Sequence, residues 1–516
     1  MKKKNSGGKR IVVNSLALYL KMLYSILIAF YTTRVVLSSL GAEDYGIYIL
    51  VAGVISLLTF LNVSMTVATQ RFMSVAMGKA DKERVKKIFA TSVFLHWVIG
   101  ITVILGLEIA GLFLFDGVLN IPEQRIQTAK VVFQFMVVST FFTINAVPYD
   151  AAINANEHMW IDSLIGLIEN TLKLGIAFYL MYSSSSDKLI SYSLLTVAVI
   201  ILSRISKSYY CRKKYEECKI NNVPWKNLDY SLVKEMGSFA GWNTIGALVY
   251  VGRSQTLAVI LNIFYGTVIN AAYGIANQIN SQVAAFSTTL LKAINPQIAK
   301  SEGAGDRSRM LQMAGYSTKL SFFIFTILLV PLYVEMPYVL ELWLKNVPEY
   351  TISFCKLLLC STLLAQLSNG LMLIMQSYGR IKEYIVSVNI MYALNIPIAY
   401  LLLTLGYAPY FVVASMIVIE VFALMIRVFW VSKFISEFNS KKFLLHSVLK
   451  SVLLGGIVLG TTSFISNFLE EGIIRFVSII LFSTILSTFL FYILILGRDE
   501  RMKIKMIFIK MTNKFF

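Results

Sequence analysis

Apolar stretches of about 20 residues, the length that crosses a bilayer as an α-helix, recur along almost the whole chain of 516 residues. Short polar joints separate them, and only 15% of the residues are charged, against about 25% in soluble domains. Runs such as 473–496 lack the alternation of polar and apolar residues that is typical of membrane-barrel strands. The sequence therefore predicts an all-α polytopic membrane protein without a separate soluble domain.

The apolar runs, bounded by charge, Gly or Pro, predict about 14 transmembrane helices. We expect them at about 11–37, 46–70, 88–115, 127–149, 161–182, 189–210, 236–262, 268–292, 315–337, 351–377, 384–404, 410–431, 447–467 and 474–496. The first run follows a basic segment but exceeds 20 residues and lacks a small-residue cleavage site. It is expected to be a retained span and not a signal peptide.

The distribution of Lys and Arg predicts the orientation in the membrane. If the N-terminus is cytoplasmic, the inside segments, among them 150–160, 204–234 and 427–450, hold 37 of the 47 basic residues, seven lie outside and three lie within spans. Because cytoplasmic joints are enriched in Lys and Arg, both termini are predicted to be cytoplasmic. The net charge of +19 then reflects topology and attraction to anionic membrane lipids, and no nucleic-acid partner is expected.

Three ordered sequence matches indicate an internal repeat. They pair Tyr45-Gly46 with Tyr273-Gly274, Asp81 and Arg84 with Asp306 and Arg309, and 153–167 with 375–389, at an offset that shortens slowly along the chain. The repeat unit holds six spans, an even number, so both copies insert with the same orientation as a parallel pseudo-repeat. We predict six-helix lobes at 1–225 and 226–446, followed by two extra helices and a basic tail at 447–516.

Cations within spans are the first candidates for substrate binding, because ionisable groups at membrane depth are costly. Lys21 lies about ten residues into the first span, near the bilayer centre, and Arg253 lies at similar depth in the seventh. Either could instead pair with an acid or extend to an interface. Arg34 closes the first span and belongs either to the rim or to a cavity. Lys173 is a further candidate, although Glu169, four residues earlier, favours internal neutralisation.

Three acids within spans are candidates for coupling to H⁺ or Na⁺, or for acting as counter-ions. Glu108 and Glu420 have no obvious local partner, whereas Glu169 precedes Lys173. Side-chain amides are dense in the seventh, eighth and tenth spans, where they either join helices or line a hydrated cavity that bonds sugar hydroxyls. These amides are Asn243, Gln255, Asn262, Asn270, Gln278, Asn280, Gln282, Gln366 and Asn369.

The motifs of several other functions are absent from the sequence. It contains no GxxxxGK[ST] nucleotide loop, no HExxH and no carboxylate cluster at metal spacing. We therefore predict no catalytic residue, no metal and no cofactor, with H⁺ or Na⁺ as the only candidate coupling ions. A membrane glycosyltransferase or polymerase is disfavoured, because the outer joints are too short to hold an acceptor.

The sequence resembles the polysaccharide transporter branch of the multidrug/oligosaccharidyl-lipid/polysaccharide superfamily, the Wzx-type flippases. The strings that carry this resemblance are LGAEDYGIYIL at 40–50, TQRFMSVAMGKADKERVKK at 69–87, AAYGIANQI at 271–279 and NPQIAKSEGAGD at 295–306. The resemblance covers essentially the whole chain, as six, six and two spans.

The resemblance implies two bundles around a cavity that opens alternately to each side of a bacterial cytoplasmic (inner) membrane. Its cargo would be an undecaprenyl-pyrophosphate-linked oligosaccharide for O-antigen, capsule or exopolysaccharide, and Lys21, Arg34 and Arg253 would meet the pyrophosphate. A polymerase and other polysaccharide-assembly proteins are expected partners. The main alternative is a multidrug or metabolite exporter of the same superfamily, which would need unpaired acids for cationic drugs.

Overall fold

The computed structural model describes residues 4–56, 59–115, 121–183, 187–219, 229–344, 347–497 and 501. This part of the chain is helical and contains no strand, so the predicted all-α fold is confirmed. Its α-helices are α1 Lys4–Ser56, α2 Thr59–Gly78, α3 Lys82–Phe113, α4 Ile126–Ala155, α5 Met159–Tyr182, α6 Lys188–Lys214, α7 Tyr230–Gly303, α8 Arg307–Val334, α9 Met336–Leu344, α10 Thr351–Gln366, α11 Asn369–Tyr378, α12 Lys382–Thr404, α13 Tyr410–Phe434, α14 Ser440–Phe443, α15 Lys450–Ser466 and α16 Ile473–Leu490.

Eleven helical segments in the described residues are long and apolar enough to cross a membrane, or 12 if the bent pair α10 and α11 forms one span. The chain is thus a multi-pass membrane protein, but the predicted count of 14 is not confirmed. Two of the 14 predicted spans, 46–70 and 268–292, are not among these 12 segments. The run 46–70 includes residues 57 and 58, which are outside the described part, and the run 268–292 is helical within α7 but rich in amides.

Left-handed backbone positions recur with the internal repeat. Gly41 (φ 82°) interrupts α1 and Gly266 (φ 78°) interrupts α7, at the offset that separates Asp81 from Asp306. Ala80 (φ 58°) and Gly305 (φ 72°), which directly precede these two aspartates, lie in the turns before α3 and α8. In the matched segments 153–167 and 375–389, the equivalent residues Glu157 (φ 61°) and Gly379 (φ 95°) are also left-handed. Because left-handed residues are uncommon, their repetition supports a duplicated helical bundle.

The described chain divides into two compact units. Unit 1 consists of Met1–Leu248 and Asn295–Asp306. In this unit α1 packs against α5, and α4 packs against both α3 and α6. Buried Val51, Leu107, Val132 and Leu189 form part of its core. Asp side chains cap the first turns of α3 and α6, where Asp81 and Asp187 accept backbone N–H groups.

Unit 2 consists of Val249–Ile294 and Arg307–Phe516. Here α13 packs against α12 and α10, and Phe325, Phe354 and Val412 lie in the core. The two helices that follow the second repeat belong to this unit, since α15 and α16 both pack on α8. The Phe323 and Phe491 rings stack with centroids 4.2 Å apart. The three-part division at 225/226 and 446/447 stays a prediction.

Candidate functional site

Unit 2 contains a buried cluster of two arginines, tyrosines and one carboxylate. Its first member is Arg253 on α7, which is 7% exposed. The guanidinium carbon of Arg253 lies 4.6 Å from the ring centroid of Tyr392 on α12 and 5.4 Å from that of Tyr250. Within the described residues, neither Nε nor Nη1 of Arg253 has a hydrogen-bond partner. The aromatic faces stabilise the positive charge, but they leave these two donor nitrogens available.

The second arginine, Arg427 on α13, is held rigidly. It donates hydrogen bonds to the hydroxyls of Tyr384 at 3.2 Å, Ser368 at 3.1 Å and Tyr392 at 2.8 Å. The Tyr392 hydroxyl in turn donates to Glu420 Oε2 at 3.1 Å, and this oxygen lies 3.9 Å from Arg427 Nη1. All three guanidinium nitrogens of Arg427 are therefore engaged, in contrast to those of Arg253.

The bend between the consecutive helices α10 and α11 supplies part of this cluster. Between α10 and α11 the chain bends by 45°, and Ser368, which accepts from Arg427, lies at the break. Asn369 donates to Gln366 across the same break at 2.8 Å. Helix breaks at membrane depth are tolerated where protein or a polar cavity satisfies the freed backbone groups, and they commonly mark transport sites.

The composition of this cluster favours an anionic ligand. Arg253, Arg427 and Glu420 are all at least nine-tenths buried, and with the glutamate ionised they sum to a charge of +1. A buried charge without a full set of partners is costly, so an anion that accepts from Arg253 would be strongly favoured.

Unit 1 holds a second network of charges, and this one is internally balanced. Lys207 Nζ lies 2.7 Å from both Asp150 Oδ1 and Asp162 Oδ1. The other oxygen of Asp162 lies 3.0 Å from Lys21 Nζ. The Lys21 side chain packs against Gly166, where a Cβ atom would overlap it. Two lysines and two aspartates thus join α1, α4, α5 and α6.

A neighbouring cluster in unit 1 contains the predicted pair of Lys173 and Glu169. Lys173 Nζ lies 2.7 Å from Glu169 Oε1, so the local ion pair is present. The other Glu169 oxygen accepts from Ser203 at 2.7 Å and lies 3.7 Å from Arg204. Lys173 and Glu169 are thereby parts of a structural network, while their roles in substrate binding and ion coupling stay predictions.

The remaining predicted residues lie apart from these clusters. Arg34 is exposed on α1. Glu108 on α3 is half-buried and accepts a hydrogen bond from Gln134 at 3.0 Å. Of the seven candidates, the structure brings Arg253 and Glu420 together in unit 2. In the described residues, no group of three His, Cys, Asp or Glu side chains could hold a metal ion.

Several residues of these networks were missed by the sequence analysis, which assigned them to inside joints. Asp150 lies within α4 because this helix extends beyond the predicted span 127–149. Lys207 and Arg427 lie near the ends of the predicted spans 189–210 and 410–431, but they were counted with the inside segments 204–234 and 427–450. One signal was available: Glu420 and Arg427 are seven residues apart, so they lie on one face of a helix. Asp162 was not selected, although it lies near the start of the fifth predicted span.

Comparisons with known sequences give distant relatives. No protein-family model matches the chain. It is 20% identical to the uncharacterized membrane protein EpsK of Bacillus subtilis over 321 residues, which are 60% of this chain and 61% of EpsK. It is 21% identical to the probable multidrug resistance protein YoeA of the same organism over 364 residues, 67% of this chain and 77% of YoeA. The match thus spans less than two thirds of the length of EpsK.

Comparisons with solved structures identify the fold. A MATE protein in its straight conformation aligns with a TM-score of 0.72 at 16% identity, covering 84% of this chain and 97% of that chain. An outward-facing multidrug resistance MATE family transporter of the MOP superfamily aligns at 0.72 and 15%, covering 83% and 96%. A MOP superfamily transporter from Pyrococcus furiosus, whose reversed pocket polarity was taken to suggest a different function, aligns at 0.70 and 14%, covering 82% and 95%. The chain therefore has the fold of MOP superfamily transporters.

Proposed function

We propose that this protein is a flippase that moves an undecaprenyl-pyrophosphate-linked oligosaccharide from the cytoplasmic to the outer leaflet by alternating access. The observation that carries the proposal is the buried guanidinium of Arg253, with two donor nitrogens unpartnered in the described residues. A guanidinium binds phosphate oxygens with paired, charge-assisted hydrogen bonds. A pyrophosphate anion is too costly to cross hydrocarbon unaided, so it requires such a polar site.

The charge balance supports an anionic cargo over a cationic drug. A cationic substrate would require an acid without a partner, whereas Glu420 is bonded to Tyr392 and attracted to Arg427. The Pyrococcus furiosus transporter supports the view that this fold accommodates pockets of different polarity. In our proposal, Arg253 meets the pyrophosphate, and the contacts of Lys21 and Arg34 with it stay predictions from the resemblance.

The proposal places the protein in a bacterial cytoplasmic membrane with both termini in the cytoplasm. The strong bias of Lys and Arg toward one set of joints supports this orientation. The substrate would come from enzymes that build glycans on a lipid carrier, and a polymerase would use the flipped product. Side-chain amides of unit 2 such as Asn280 offer hydrogen bonds to sugar hydroxyls.

A second candidate function is export of drugs or metabolites. It is favoured by the MATE structures and by the similarity to YoeA, a probable multidrug resistance protein. For such an exporter, Glu420 would be the residue that attracts a cation, after release from Tyr392. Arg253 would then repel the substrate, and its removal should increase resistance to cationic drugs.

The two functions are separated by variants of Arg253 in a strain that depends on this protein for surface glycan. Arg253→Met keeps the side-chain volume and removes the charge, so export should be lost while the protein remains in the membrane. Arg253→Lys should retain part of the activity, since it keeps the charge but loses paired geometry. Arg380→Ala is the control, because Arg380 lies on the surface with a side chain 62% exposed. Full export by Arg253→Met, or a gain in drug resistance, would reject the flippase proposal.

A further inference from the structure

The unit 2 cluster contains one carboxylate, that of Glu420, which can gain a proton while the hydrogen bonds of Arg427 to its other partners remain. Glu420 contributes a single hydrogen-bonded oxygen, Oε2, to Tyr392. Arg427 is separately bonded to Tyr384, Ser368 and Tyr392, so its position does not depend on an ionised Glu420. Protonation of Glu420 would therefore change the charge of the cluster while its side chains stay in place.

The charges in the cluster can be compared with those of the proposed cargo. With Glu420 ionised, the two arginines and the carboxylate sum to +1, whereas with Glu420 protonated they sum to +2. A pyrophosphate diester carries one negative charge on each of its two phosphates and does not titrate near neutral pH. Burying a net charge is unfavourable, so the dianion is matched only by the protonated form of the cluster.

We propose that Glu420 takes up one proton when a pyrophosphate diester binds at Arg253, so that the occupied site is electrically neutral. This inference rests on the proposed function, because it assumes that the cargo is a dianion. The proton comes from hydronium or a buffer acid in the water on the side where the substrate binds, so one bond to hydrogen breaks in the donor as the carboxyl O–H forms. The reverse transfer to water or buffer base occurs when the anion is released.

The surroundings of Glu420 fit this exchange. The charged groups that face it are Arg427 on its own helix and Arg253 on α7, both of which attract its carboxylate. The titratable hydroxyls of the cluster are those of Tyr392 and Tyr384 on α12 and Tyr250 on α7. An anion bound to Arg253 would offset the attraction between Arg253 and the Glu420 carboxylate and would add repulsion, and both effects favour protonation.

A binding experiment with two synthetic probes tests the inference. The first probe is a short-chain prenyl pyrophosphoryl-N-acetylglucosamine, and the second is the corresponding prenyl phosphoryl sugar with one phosphate and one charge. Calorimetric titration of the full-length protein in nanodiscs, in buffers of different ionisation enthalpy, measures the protons taken up on binding. We expect about one proton with the pyrophosphate probe and almost none with the phosphate probe. Affinity for the pyrophosphate probe should fall about tenfold per pH unit where Glu420 is ionised.

Two isosteric variants identify the residue that takes up the proton. Glu420→Gln mimics the protonated acid, so it should bind the pyrophosphate probe at all pH values with no proton uptake. Glu437→Gln is the matched control, because Glu437 is exposed at its 3.4 Å contact with Arg307, outside the cluster, and should leave the uptake unchanged. Binding by the natural protein without proton uptake, or undiminished uptake by Glu420→Gln, would overturn this inference alone. If the natural protein binds neither probe, the proposed function is overturned, and this inference with it.

Discussion

Gly78 and Gly303 meet in unit 1 through a symmetric contact between the ends of α2 and α7. A Cβ atom at Gly78 would overlap the carbonyl oxygen of Lys300, and a Cβ atom at Gly303 would overlap that of Val75. The two glycines occupy equivalent positions of the internal repeat, and so do Val75 and Lys300, because each pair has the same sequence offset. Equivalent parts of the two repeats therefore contact each other in the self-complementary manner of a two-fold interface.

Gly78→Ala and Gly303→Ala should each destabilise this contact, because the added methyl group meets backbone that has no rotamer freedom. Overpacking of this kind costs about 1–3 kcal/mol, which should lower the Tm of the purified protein in detergent. Gly237→Ala is the control, since nothing lies within 4 Å of a Cβ atom at that helical position. Its Tm should be unchanged or slightly higher, because Ala favours a helix over Gly. Equal Tm values for all three variants would contradict the close backbone approach.

Glu157 lies next to this contact and combines a strained backbone with a buried carboxylate. It is left-handed, whereas the corresponding position in the second repeat is Gly379. Its carboxylate, 3% exposed, accepts hydrogen bonds from Gln297 and Lys300, and its carbonyl accepts from Asn14 at 2.8 Å. The carboxylate contacts explain why a residue other than Gly occupies a backbone conformation that costs roughly 1–2 kcal/mol.

Glu157→Gly removes the strain of a left-handed backbone at a residue other than Gly. It should nevertheless lower the Tm, because Gln297 and Lys300 lose a buried acceptor. Adding Lys300→Met should recover part of the loss, since it removes the ammonium left without its partner. A Tm above that of the natural protein for Glu157→Gly would mean that the carboxylate contributes less than the strain costs. Thermal unfolding of the single and double variants in the same detergent makes this comparison.

The fold could be predicted from the sequence more completely than the site, because helices depend on local sequence and charge pairs do not. Helices follow from local apolar runs, so the all-α architecture could be predicted, and ionisable residues within those runs identified Arg253 and Glu420. Charge pairing depends instead on tertiary contacts: Lys21 and Asp162 are far apart in the sequence, and no local pattern joins them. The ends of the helices were also predicted poorly. Polar residues such as Lys207 and Arg427 were taken for joint residues, although their helices bury them in ion networks.

Lys21 and Lys207 share Asp162, but their removal should have different consequences. Lys207 is buried and balances both Asp150 and Asp162, so Lys207→Met would remove the cation that Asp150 contacts and leave Asp162 with Lys21 alone. Loss of one partner of a buried ion pair costs about 3–5 kcal/mol, so little folded protein should accumulate. Lys21 has a side chain 28% exposed, and Lys21→Met leaves Asp162 paired with Lys207. This variant should insert normally and lose glycan export; membrane protein level and surface glycan, measured together, distinguish the two cases.

The last prediction concerns Asp187, which lies before α6 at the end of unit 1 predicted to face outward. Its carboxylate lies 2.9 Å from Arg125, which also contacts Asp44, and it accepts from Thr128 at 3.0 Å. Burial alone would raise the pKa of Asp187, but the hydrogen bonds from Arg125, the Ile190 N–H and Thr128 outweigh burial and hold the pKa below its ordinary value.

An acid with a lowered pKa stabilises the fold above its ordinary pKa and loses this contribution as the pH falls through the lowered value. The Tm of the natural protein in detergent should therefore decrease as the pH falls below about 4, the usual range of Asp. Asp187→Asn should have a lower Tm at neutral pH and a weaker dependence on acid. Glu437→Gln is the control, because Glu437 is exposed at its 3.4 Å contact with Arg307 and solvent screens that pair. Superimposable pH profiles for Asp187→Asn and the natural protein would show that the Arg125 contacts do not stabilise unit 1 through the charge of Asp187.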